Sequence, residues 1–479
     1  MRKSILIFLA SAIAFPLFSQ EITTTRLLSD SSMLHASVSL RIADSNTGTT
    51  ILELNSEKSL IPASVQKLIT SAVATEMLGP DYTFKTQIGY SGDLDTLTGV
   101  LKGDIIIKGG GDPALGSANF KEHYGDFMGS WAKAIIKLGI KRIEGRILSD
   151  DSYFDYQPVP PKWLWEDVGN YYGAGAYGIS VFDNTFQIHL NTTSANHAVE
   201  IISVFPEECS YDLTNRLVSS GTSDEGYVFT APYSTSGWIE GTVPQGIEDF
   251  IIKASITDPP LLLAQMVGKK LKSEGITITG VASSVRKEGI ELNTGFIIIS
   301  ETTSPELSDI AERLNHQSVN LYAEHFVKEL GRKFGKKGST EAGVEVIMKY
   351  LQNAGINTKG LFMEDGSGLS PLNAINARVL SDILIYMNTR GKNYYHFFSS
   401  LPEAGKEGTI KYNFRDPVFD SRMNAKSGSM TRVRSYAGYL ETLKGNKLVF
   451  SIIINNYSGT SAKIISGIED FLKQVIINK

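Results

Sequence analysis

The sequence predicts an α+β protein in which strands and helices from both ends of the chain form one unit, interrupted by a β-rich segment. Three observations support this class. Two short runs near the N-terminus alternate in polarity with the period of two that half-buried strands require, and strand-like runs return near the C-terminus. Between residues 305 and 390, and again at the C-terminus, apolar residues recur at helical spacing. Between residues 85 and 257, short β-like runs alternate with glycine-rich turns.

The first residues have the pattern of a secretory signal peptide. Arg2 and Lys3 supply a positive start, and residues 5–18 form an apolar run shorter than the roughly 20 residues that a membrane-spanning helix needs. We expect a signal peptide over residues 1–19 with cleavage before Gln20; an uncleaved anchor is the alternative. No later stretch has the apolar length of a transmembrane span. The mature protein is therefore expected to be exported to a bacterial periplasm, where disulfides are permitted but not required.

Composition argues against several classes of function. The 479 residues include 46 Lys and Arg against 51 Asp and Glu, which gives a net charge of −5 and no support for a nucleic-acid partner. The single cysteine, Cys209, allows no intrachain disulfide and no cysteine-based zinc site. The seven histidines lack metal-ligand spacing, so neither a metal nor a cofactor is expected. The sequence does not indicate an oligomeric state.

Local signals predict the elements in order. Residues 36–43 and 50–55 alternate in polarity around an Asn-Thr-Gly turn, which predicts a β-hairpin, and Pro62 then opens a helix. The other predicted helices cover residues 127–138, 261–274, 306–314, 318–334, 339–355 and 376–388 and the C-terminal segment. The other predicted strand runs lie in residues 104–115, 142–150, 184–190, 225–233, 249–256, 277–283, 422–428, 432–442 and 447–456.

These patterns predict a discontinuous main unit with one insertion. The main unit comprises residues 20–84 and 286–479, and the insertion comprises residues 85–285. The insertion is expected to contain two subdomains, one formed by residues 85–160 with 250–285 and the other by residues 161–249.

Ser64 and Lys67 stand three residues apart at the start of the helix that follows Pro62. Positions i and i+3 share a helix face, so the lysine amine lies one turn from the serine hydroxyl. A neutral lysine can accept the hydroxyl proton when burial and nearby positive charge lower its pKa. The spacing alone has little specificity, because Ser284 and Lys287 repeat it after a strand. An ordinary helix cap at Ser64 is the alternative interpretation.

Two further short motifs contain hydroxyl and lysine side chains. Ser318 and Asn320 form a Ser-X-Asn pattern near a helix start, but residues 117–119 and 194–196 fit the same pattern. Residues 426–428 read Lys-Ser-Gly at the end of a strand run, the single Lys-(Ser/Thr)-Gly in the sequence. Each motif is weak by itself, so only their order along the chain carries information.

That order resembles the serine penicillin-recognising fold shared by DD-peptidases and serine β-lactamases. The long separation of Ser64 from Ser318 resembles the class C low-molecular-mass penicillin-binding proteins, the D-alanyl-D-alanine carboxypeptidases and endopeptidases of peptidase family S13. That family carries a large insertion between the first two motifs. Further stretches resemble it too: KGGGDPAL at 108–115, SDDSYFD at 149–155, PKWLWED at 161–167 and MEDGSGLS at 363–370.

The resemblance implies a penicillin-recognising domain with an antiparallel sheet and helices that carries the β-rich insertion. It implies a serine D-Ala-D-Ala carboxypeptidase, with endopeptidase activity left open, that acts on peptidoglycan stem peptides and binds β-lactam antibiotics covalently. Ser64 is expected to be the nucleophile and Lys67 its base. Ser318 is expected to relay a proton to the leaving amine, Asn320 to orient Lys67, and Lys426 to supply positive charge.

The resemblance also implies substrate-binding residues. Ser427, Gly428 and Ser429 are expected to hold the terminal carboxylate of the substrate, the two serines through their hydroxyls. The family usually has Lys-Thr-Gly-Thr here, and this chain keeps both hydroxyls as serines. Backbone N–H groups of Ser64 and Ser429 are expected to form the oxyanion hole. Asp150 in the insertion is expected to lie near the stem peptide and to pair with a free amine.

Two other functions stay open at this point: a serine β-lactamase or esterase of the same fold, and a catalytically silent penicillin-binding receptor. The presence of all motif residues argues against the silent receptor. Glu166 is expected to be a structural residue of the insertion. The polar face of the C-terminal helix has balanced charge, so we expect the helix to pack on the sheet, with peripheral membrane contact as the alternative.

Overall fold

A computed structural model describes residues 27–292 and 295–479. The predicted signal peptide lies outside these residues. Among the helices of the described part, none is both long and apolar enough to cross a membrane.

The strands are numbered in chain order. They are β1 (Ser37–Asp44), β2 (Thr50–Leu54), β3 (Lys85–Tyr90), β4 (Asp93–Asp95), β5 (Val100–Lys102), β6 (Ile105–Lys108), β7 (Arg142–Ile143), β8 (Ile147–Asp150), β9 (Thr185–Asn191), β10 (Glu200–Phe205), β11 (Asp212–Ser219), β12 (Glu225–Phe229), β13 (Ser236–Val243), β14 (Phe250–Ser255), β15 (Thr277–Ile278), β16 (Ser283–Ser284), β17 (Ile297–Thr303), β18 (Met423–Met430), β19 (Val433–Glu441) and β20 (Lys447–Asn455).

The α-helices are numbered in the same way. They are α1 (Lys67–Leu78), α2 (Lys121–Tyr124), α3 (Phe127–Lys137), α4 (Trp165–Val168), α5 (Pro259–Ser273), α6 (Val285–Glu288), α7 (Leu307–Gln317), α8 (Asn320–Phe334), α9 (Thr340–Asn353), α10 (Ala377–Arg390), α11 (Tyr394–Ser399) and α12 (Ser461–Asn478). Several begin at side-chain caps that satisfy a free backbone N–H, as Asp258 does for α5 and Asn376 for α10.

A five-stranded antiparallel sheet joins the two ends of the chain in the order β18-β19-β20-β1-β2. β1 pairs with β20 from Ser37 opposite Asn455 to Asp44 opposite Leu448. The hairpin β1-β2 and the three C-terminal strands therefore form one sheet, as the sequence predicts. β18 lies at the edge of this sheet.

Apolar side chains cover both faces of this sheet. Ile452 and Ile454 of β20 lie in one core with the apolar face of α12, whereas Val449 and Ile453 lie in a second core with α1, α8 and α10. This alternation follows from the two-residue period of a strand. The sheet is therefore a middle layer between helices, and the predicted packing of the C-terminal helix on it is confirmed.

The middle of the chain forms further sheets, one of them also five-stranded, which confirms its predicted β-rich character. In the described residues these sheets have the orders β16-β8-β6-β3-β17, β15-β7-β5-β4, β10-β9-β14 and β11-β13-β12. The run predicted at 277–283 divides into β15 and β16, which join two different sheets.

Strand pairing crosses two of the predicted boundaries. β17 pairs with β3, so hydrogen bonding of the inserted part continues to Thr303 and not only to residue 285. β14 pairs with β9 across the boundary predicted between residues 249 and 250. Because backbone hydrogen bonds between strands hold a sheet together, an insertion that ends near residue 303 fits these pairings better than one that ends at residue 285. The division into domains itself stays a prediction.

Candidate active site

Ser64 lies in a 3₁₀ turn, Ala63–Gln66, that leads directly into α1. The preceding residue, Ala63, has a φ of 51°, a left-handed conformation that is uncommon for alanine and typical of strained functional turns. Ser64 does not cap the helix, because no side chain caps either the turn or α1. Its side chain is half-buried and meets Lys67 instead.

Lys67 is completely buried and has three polar contacts through Nζ. These are Ser64 Oγ at 2.9 Å, Asn320 Oδ1 at 2.6 Å and the Ser367 carbonyl at 2.8 Å. Burial lowers the pKa of Lys67 to about 7, partly offset by the carboxylates of Asp365 and Glu324.

This geometry suits a neutral amine that acts as a base. A neutral lysine has two N–H groups and one lone pair. The Asn320 oxygen and the Ser367 carbonyl can only accept, so they take the two N–H groups. The lone pair is then directed at the Ser64 hydroxyl, which can donate its proton to it.

Asp365 holds the loop that supplies the Ser367 carbonyl. Its buried carboxylate accepts hydrogen bonds from the side chains of Gln66, Trp163 and Asn373 and from the backbone N–H groups of Gly368 and Ser370. Loss of this carboxylate would leave several buried donors without partners, which is costly. The loop is therefore fixed to α1 through Gln66 and to the inserted part through Trp163.

Glu324 lies on the same side of Lys67. Its buried carboxylate accepts from the backbone N–H groups of Gly366 and Ser367. Burial raises the pKa of Glu324, and the nearby Asp365 adds to the effect. Two effects on Lys67 thus oppose each other. The two nearby acidic groups favour its charged form, whereas burial favours its neutral form, and together they place its pKa near neutrality.

Ser318 and Lys426 form the second hydroxyl–amine pair. Ser318 follows α7 in the left-handed conformation, with a φ of 59°, so its side chain leaves the helix axis before α8 begins. Lys426 Nζ donates to Ser318 Oγ at 2.9 Å and to the Ser427 carbonyl at 2.8 Å. Burial and the neighbouring Lys67 hold the pKa of Lys426 well below its usual range.

The backbone carbonyl of Tyr172, which the sequence analysis did not identify, fixes the orientation of the Asn320 side chain. Its Nδ2 donates to the carbonyl of Tyr172 at 2.8 Å, which leaves Oδ1 directed at Lys67. Tyr172 belongs to the inserted part of the chain, 148 residues before Asn320. A backbone carbonyl carries no sequence signal, so only the fold reveals this contact.

The strand β18 passes close to the Ser64 turn at Gly428. A Cβ on Gly428 would lie 2.3 Å from Ser435 Oγ, 2.7 Å from the Pro62 carbonyl and 2.9 Å from the Ser64 backbone N. Glycine is therefore required here by the close approach of two backbones. Lys426 contacts Ser318 from one face of the strand, and Ser427 and Ser429 share the other face.

The free edge of β18 offers backbone donors. The backbone N–H and C=O groups of the odd-numbered residues of this strand point away from β19. Two bonds show this: Ala425 N donates to the Pro402 carbonyl, and the Met423 carbonyl accepts from Ala404 N. Ser429 continues this alternation and is exposed. Its N–H therefore points to the open edge, beside the Ser64 turn.

Thr409 is a second residue without a sequence signal. Its Oγ1 lies 2.6 Å from Ser427 Oγ, within a short 3₁₀ turn, Gly408–Ile410. Thr409 is exposed and Ser427 is largely buried, so two hydroxyls stand together beside the edge strand.

Other sequence candidates lie elsewhere. Asp150 ends β8 and is buried, and its carboxylate accepts from its near neighbour Ser152, from N at 3.1 Å and from Oγ at 2.6 Å. The Ser-X-X-Lys at residues 284–287 is an ordinary cap, because Ser284 Oγ accepts from Lys287 N. Glu166 is exposed on α4. Among the described residues no cluster of His, Cys, Asp and Glu is arranged to hold a metal ion.

The structure thus brings Ser64, Lys67 and Asn320 into direct contact and places Lys426 on Ser318. A hydroxyl with a buried amine of lowered pKa is an arrangement for nucleophilic catalysis on a carbonyl. Backbone N–H groups of two close segments and a pair of hydroxyls flank it.

Comparisons with known proteins cover nearly the whole chain. The model described as the D-Ala-D-Ala carboxypeptidase 3 (S13) family matches residues 21–475. A D-alanyl-D-alanine carboxypeptidase from Actinomadura sp. (strain R39) is 26% identical over 452 residues, which make up 90% of this chain and 80% of the relative.

Solved structures show the same fold. Penicillin binding protein 4 from Haemophilus influenzae superposes with a TM-score of 0.82 at 21% identity, covering 95% of this chain and 99% of that one. A predatory endopeptidase from Bdellovibrio bacteriovorus, in complex with an immunity protein, gives a TM-score of 0.52 at 16% identity, covering 92% and 93%. At these identities the likeness concerns the fold alone.

Proposed function

This chain belongs to the D-Ala-D-Ala carboxypeptidase 3 (S13) family, and on that premise we propose that Ser64 is the nucleophile with which it hydrolyses D-Ala-D-Ala ends of peptidoglycan stem peptides. It is a serine-type hydrolase of the penicillin-binding class. The proposal concerns which residues carry out the reaction and how.

Acylation begins at Ser64. The Lys67 lone pair accepts the hydroxyl proton while Oγ attacks the carbonyl of the penultimate D-alanine. The oxyanion receives hydrogen bonds from the backbone N–H groups of Ser64 in its 3₁₀ turn and Ser429 on β18, two segments that approach closely at Gly428. Ser318 then relays this proton: its hydroxyl donates to the leaving amine and regains a proton from the charged Lys67, so that Lys67 is neutral again when the C–N bond breaks and D-alanine departs. Water hydrolyses the ester by the reverse proton path.

The terminal carboxylate of the substrate is bound beside Lys426. Ser427, Ser429 and Thr409 donate hydroxyl hydrogen bonds to it, and the Gly428 backbone keeps the strand close enough to do so. An anion near Lys426 raises the pKa of that amine again, so substrate binding charges Lys426 and thereby helps to keep Lys67 neutral. β-Lactams carry a carboxylate in a comparable position and acylate Ser64 in the same way.

The observation that carries the proposal is the contact of Lys67 Nζ with Ser64 Oγ, held by Asn320 and the Ser367 carbonyl. The test is labelling with a fluorescent penicillin. The parent protein is expected to form a covalent adduct and Ser64→Ala none, whereas Ser284→Ala, in the Ser-X-X-Lys at residues 284–287, labels like the parent. An adduct on Ser64→Ala would contradict the assignment.

The same labelling separates the carboxypeptidase from a serine β-lactamase of the same fold. A persistent adduct fits the carboxypeptidase, and rapid turnover of the drug fits the β-lactamase. Cleavage of D-alanyl cross-links, as in an endopeptidase, is a second candidate activity. It uses the same residues on a longer leaving group.

Export to the periplasm and a stem-peptide contact at Asp150 are also part of the proposal. Export rests on the signal-peptide pattern of residues 1–19. Asp150 rests on the family resemblance, and its carboxylate would have to exchange Ser152 for the amine of a substrate.

A further inference from the structure

The inserted part of the chain exposes a cluster of aromatic side chains. Trp165 is 52% exposed and Tyr227 37% exposed, and the half-buried rings of Phe229 and Trp238 lie between them. The Phe229 and Trp238 rings stack at 5.0 Å, and the Trp165 ring centroid is 6.3 Å from that of Trp238. We refer to these four residues as the aromatic platform. Large exposed aromatic surface of this kind usually marks a binding site.

Strand pairing explains why the rings form one surface. Tyr227 and Phe229 are two residues apart on β12 and therefore share a face. Phe229 is paired with Trp238 of the neighbouring β13, which places their side chains on the same face. Trp165 reaches them from α4, next to Glu166.

A polar pocket adjoins the platform. Its volume is about 400 Å³, and its lining includes Tyr171, Tyr172, Glu225, Tyr227 and Lys253. Tyr171 is 57% exposed. The pocket thus combines carboxylate acceptors, phenol groups and an amine donor with ring faces, and it shares Tyr227 with the platform.

The pocket is connected to the catalytic residues. Tyr172, which lines it, accepts from Asn320 through its backbone carbonyl, and Asn320 accepts from Lys67, the partner of Ser64. A chain of three hydrogen bonds therefore separates the pocket from the proposed nucleophile.

We propose that the aromatic platform and its pocket bind the glycan strand of peptidoglycan. An N-acetylated amino sugar has an apolar C–H face, which stacks on aromatic rings, and hydroxyl and amide groups, which bond to carboxylates, phenols and amines. The stem peptide is covalently attached to such sugars, so a site next to the catalytic residues meets them. This proposal depends on the proposed function in one respect: the catalytic residues near the platform are those assigned there.

The test uses the Ser64→Ala protein, which cannot turn over, and a peptide-free tetrasaccharide of alternating N-acetylglucosamine and N-acetylmuramic acid. Calorimetric titration is expected to show saturable binding. Trp165→Ala and Tyr227→Ala, each added separately, are expected to weaken it about tenfold, as loss of an aromatic anchor does. Tyr395→Ala, at a tyrosine that is 75% exposed on α11, is the matched control and should bind like the parent.

Three outcomes would overturn the proposal. They are absence of saturable binding, binding that neither substitution weakens, and equal weakening for a glycan-free stem peptide, which would assign the platform to peptide. In the active protein, Trp165→Ala should lower kcat/KM on glycan-linked substrate more than on free peptide. Failure of penicillin labelling at Ser64 would affect the proposed function without changing the glycan titration, so the two failures are distinguishable.

Discussion

The Lys67 amine must be neutral before the reaction, which its burial favours, and still basic enough to accept the Ser64 proton. Burial lowers its pKa to about 7, whereas Asp365 and Glu324 oppose the effect. The neutral, active form therefore accumulates as the pH rises through about 7. We expect the penicillin acylation rate to rise about tenfold for each pH unit below that value and to level off above it.

Lys67→Arg tests the same residue directly. A guanidinium stays protonated near neutral pH and has no lone pair to offer, so acylation should fall by at least about a hundredfold, the usual contribution of a general base. Stopped-flow measurement with a chromogenic β-lactam checks both results. Near-normal acylation by this variant, or a flat pH profile in the parent, would remove Lys67 as the base.

Ser427 tests recognition of the carboxylate. Its hydroxyl pairs with Thr409 at 2.6 Å at the edge of the sheet. Loss of a hydrogen bond to a charged group costs about 1.5 to 3 kcal/mol. Ser427→Ala should therefore lose at least about tenfold in kcat/KM on a D-Ala-D-Ala peptide, while Ser427→Thr keeps activity because the hydroxyl remains.

A substrate with an amidated C-terminus provides the control for Ser427. The difference between the alanine variant and the parent should disappear with it. Full activity of Ser427→Ala on the free acid would show that the carboxylate binds elsewhere.

At the scale of elements, the approach of β18 to the Ser64 turn determines whether the site can form. Gly428→Ala introduces a Cβ that would overlap Ser435 Oγ and the Pro62 carbonyl and approach the Ser64 N–H. The strand must then move away from the turn, so acylation should fall more than about tenfold, in line with the effect of losing an oxyanion-hole donor. Labelling kinetics measure the loss.

Gly467→Ala is the matched control for Gly428. This glycine lies on α12, where a new Cβ would meet, among the described residues, Leu27 alone at 3.6 Å. Acylation should be unchanged, and the helix should gain slightly in stability. Equal acylation by Gly428→Ala and the parent would mean that the close approach is not needed.

The helix α8 connects the catalytic part with the inserted part through buried polar side chains. His325 is fully buried, Nδ1 lies 2.9 Å from the Gly111 carbonyl and Nε2 lies 2.8 Å from Ser180 Oγ. Burial lowers the pKa of His325 to about 3. Below pH 6.5 the unfolded chain takes up a proton that the folded protein does not, so stability falls as the pH falls.

This linkage predicts a measurable difference. When the pH is lowered from 7.5 to 5, the contribution of His325 should reduce the free energy of unfolding by about 2 kcal/mol. His325→Gln should remove that part of the pH dependence. Urea unfolding of both proteins at the two pH values gives the difference. Identical pH dependence in parent and variant would show that His325 is not a buried neutral group.

At the scale of the whole molecule, the order of three short motifs predicts the fold class, and the i, i+3 spacing of Ser64 and Lys67 predicts their contact. The contact of Lys426 with Ser318 depends on how β18 packs against the helices, so only the folded chain shows it. The pairing of β17 with β3 extends past the second boundary predicted for the insertion, because it joins segments more than 200 residues apart, as Gln87 and Glu301 illustrate. The boundary itself stays a prediction.

Other parts of the site had no local signal. Asp365 meets Gln66 across 299 residues of sequence, and Thr409 meets Ser427 from a turn without a motif. The Tyr172 contact uses a backbone carbonyl, which any residue would supply. Contacts of this kind follow from tertiary packing, so they become visible only in the folded chain.

The central claim is that Ser64 becomes acylated by a D-Ala-D-Ala substrate. The most direct measurement is mass spectrometry of the protein after brief reaction with a D-Ala-D-Ala peptide and an acid quench. The account predicts a mass increase equal to the substrate less one D-alanine, located on the proteolytic fragment that contains Ser64. Release of D-alanine with an unmodified Ser64 fragment, or with the adduct on another residue, would contradict it.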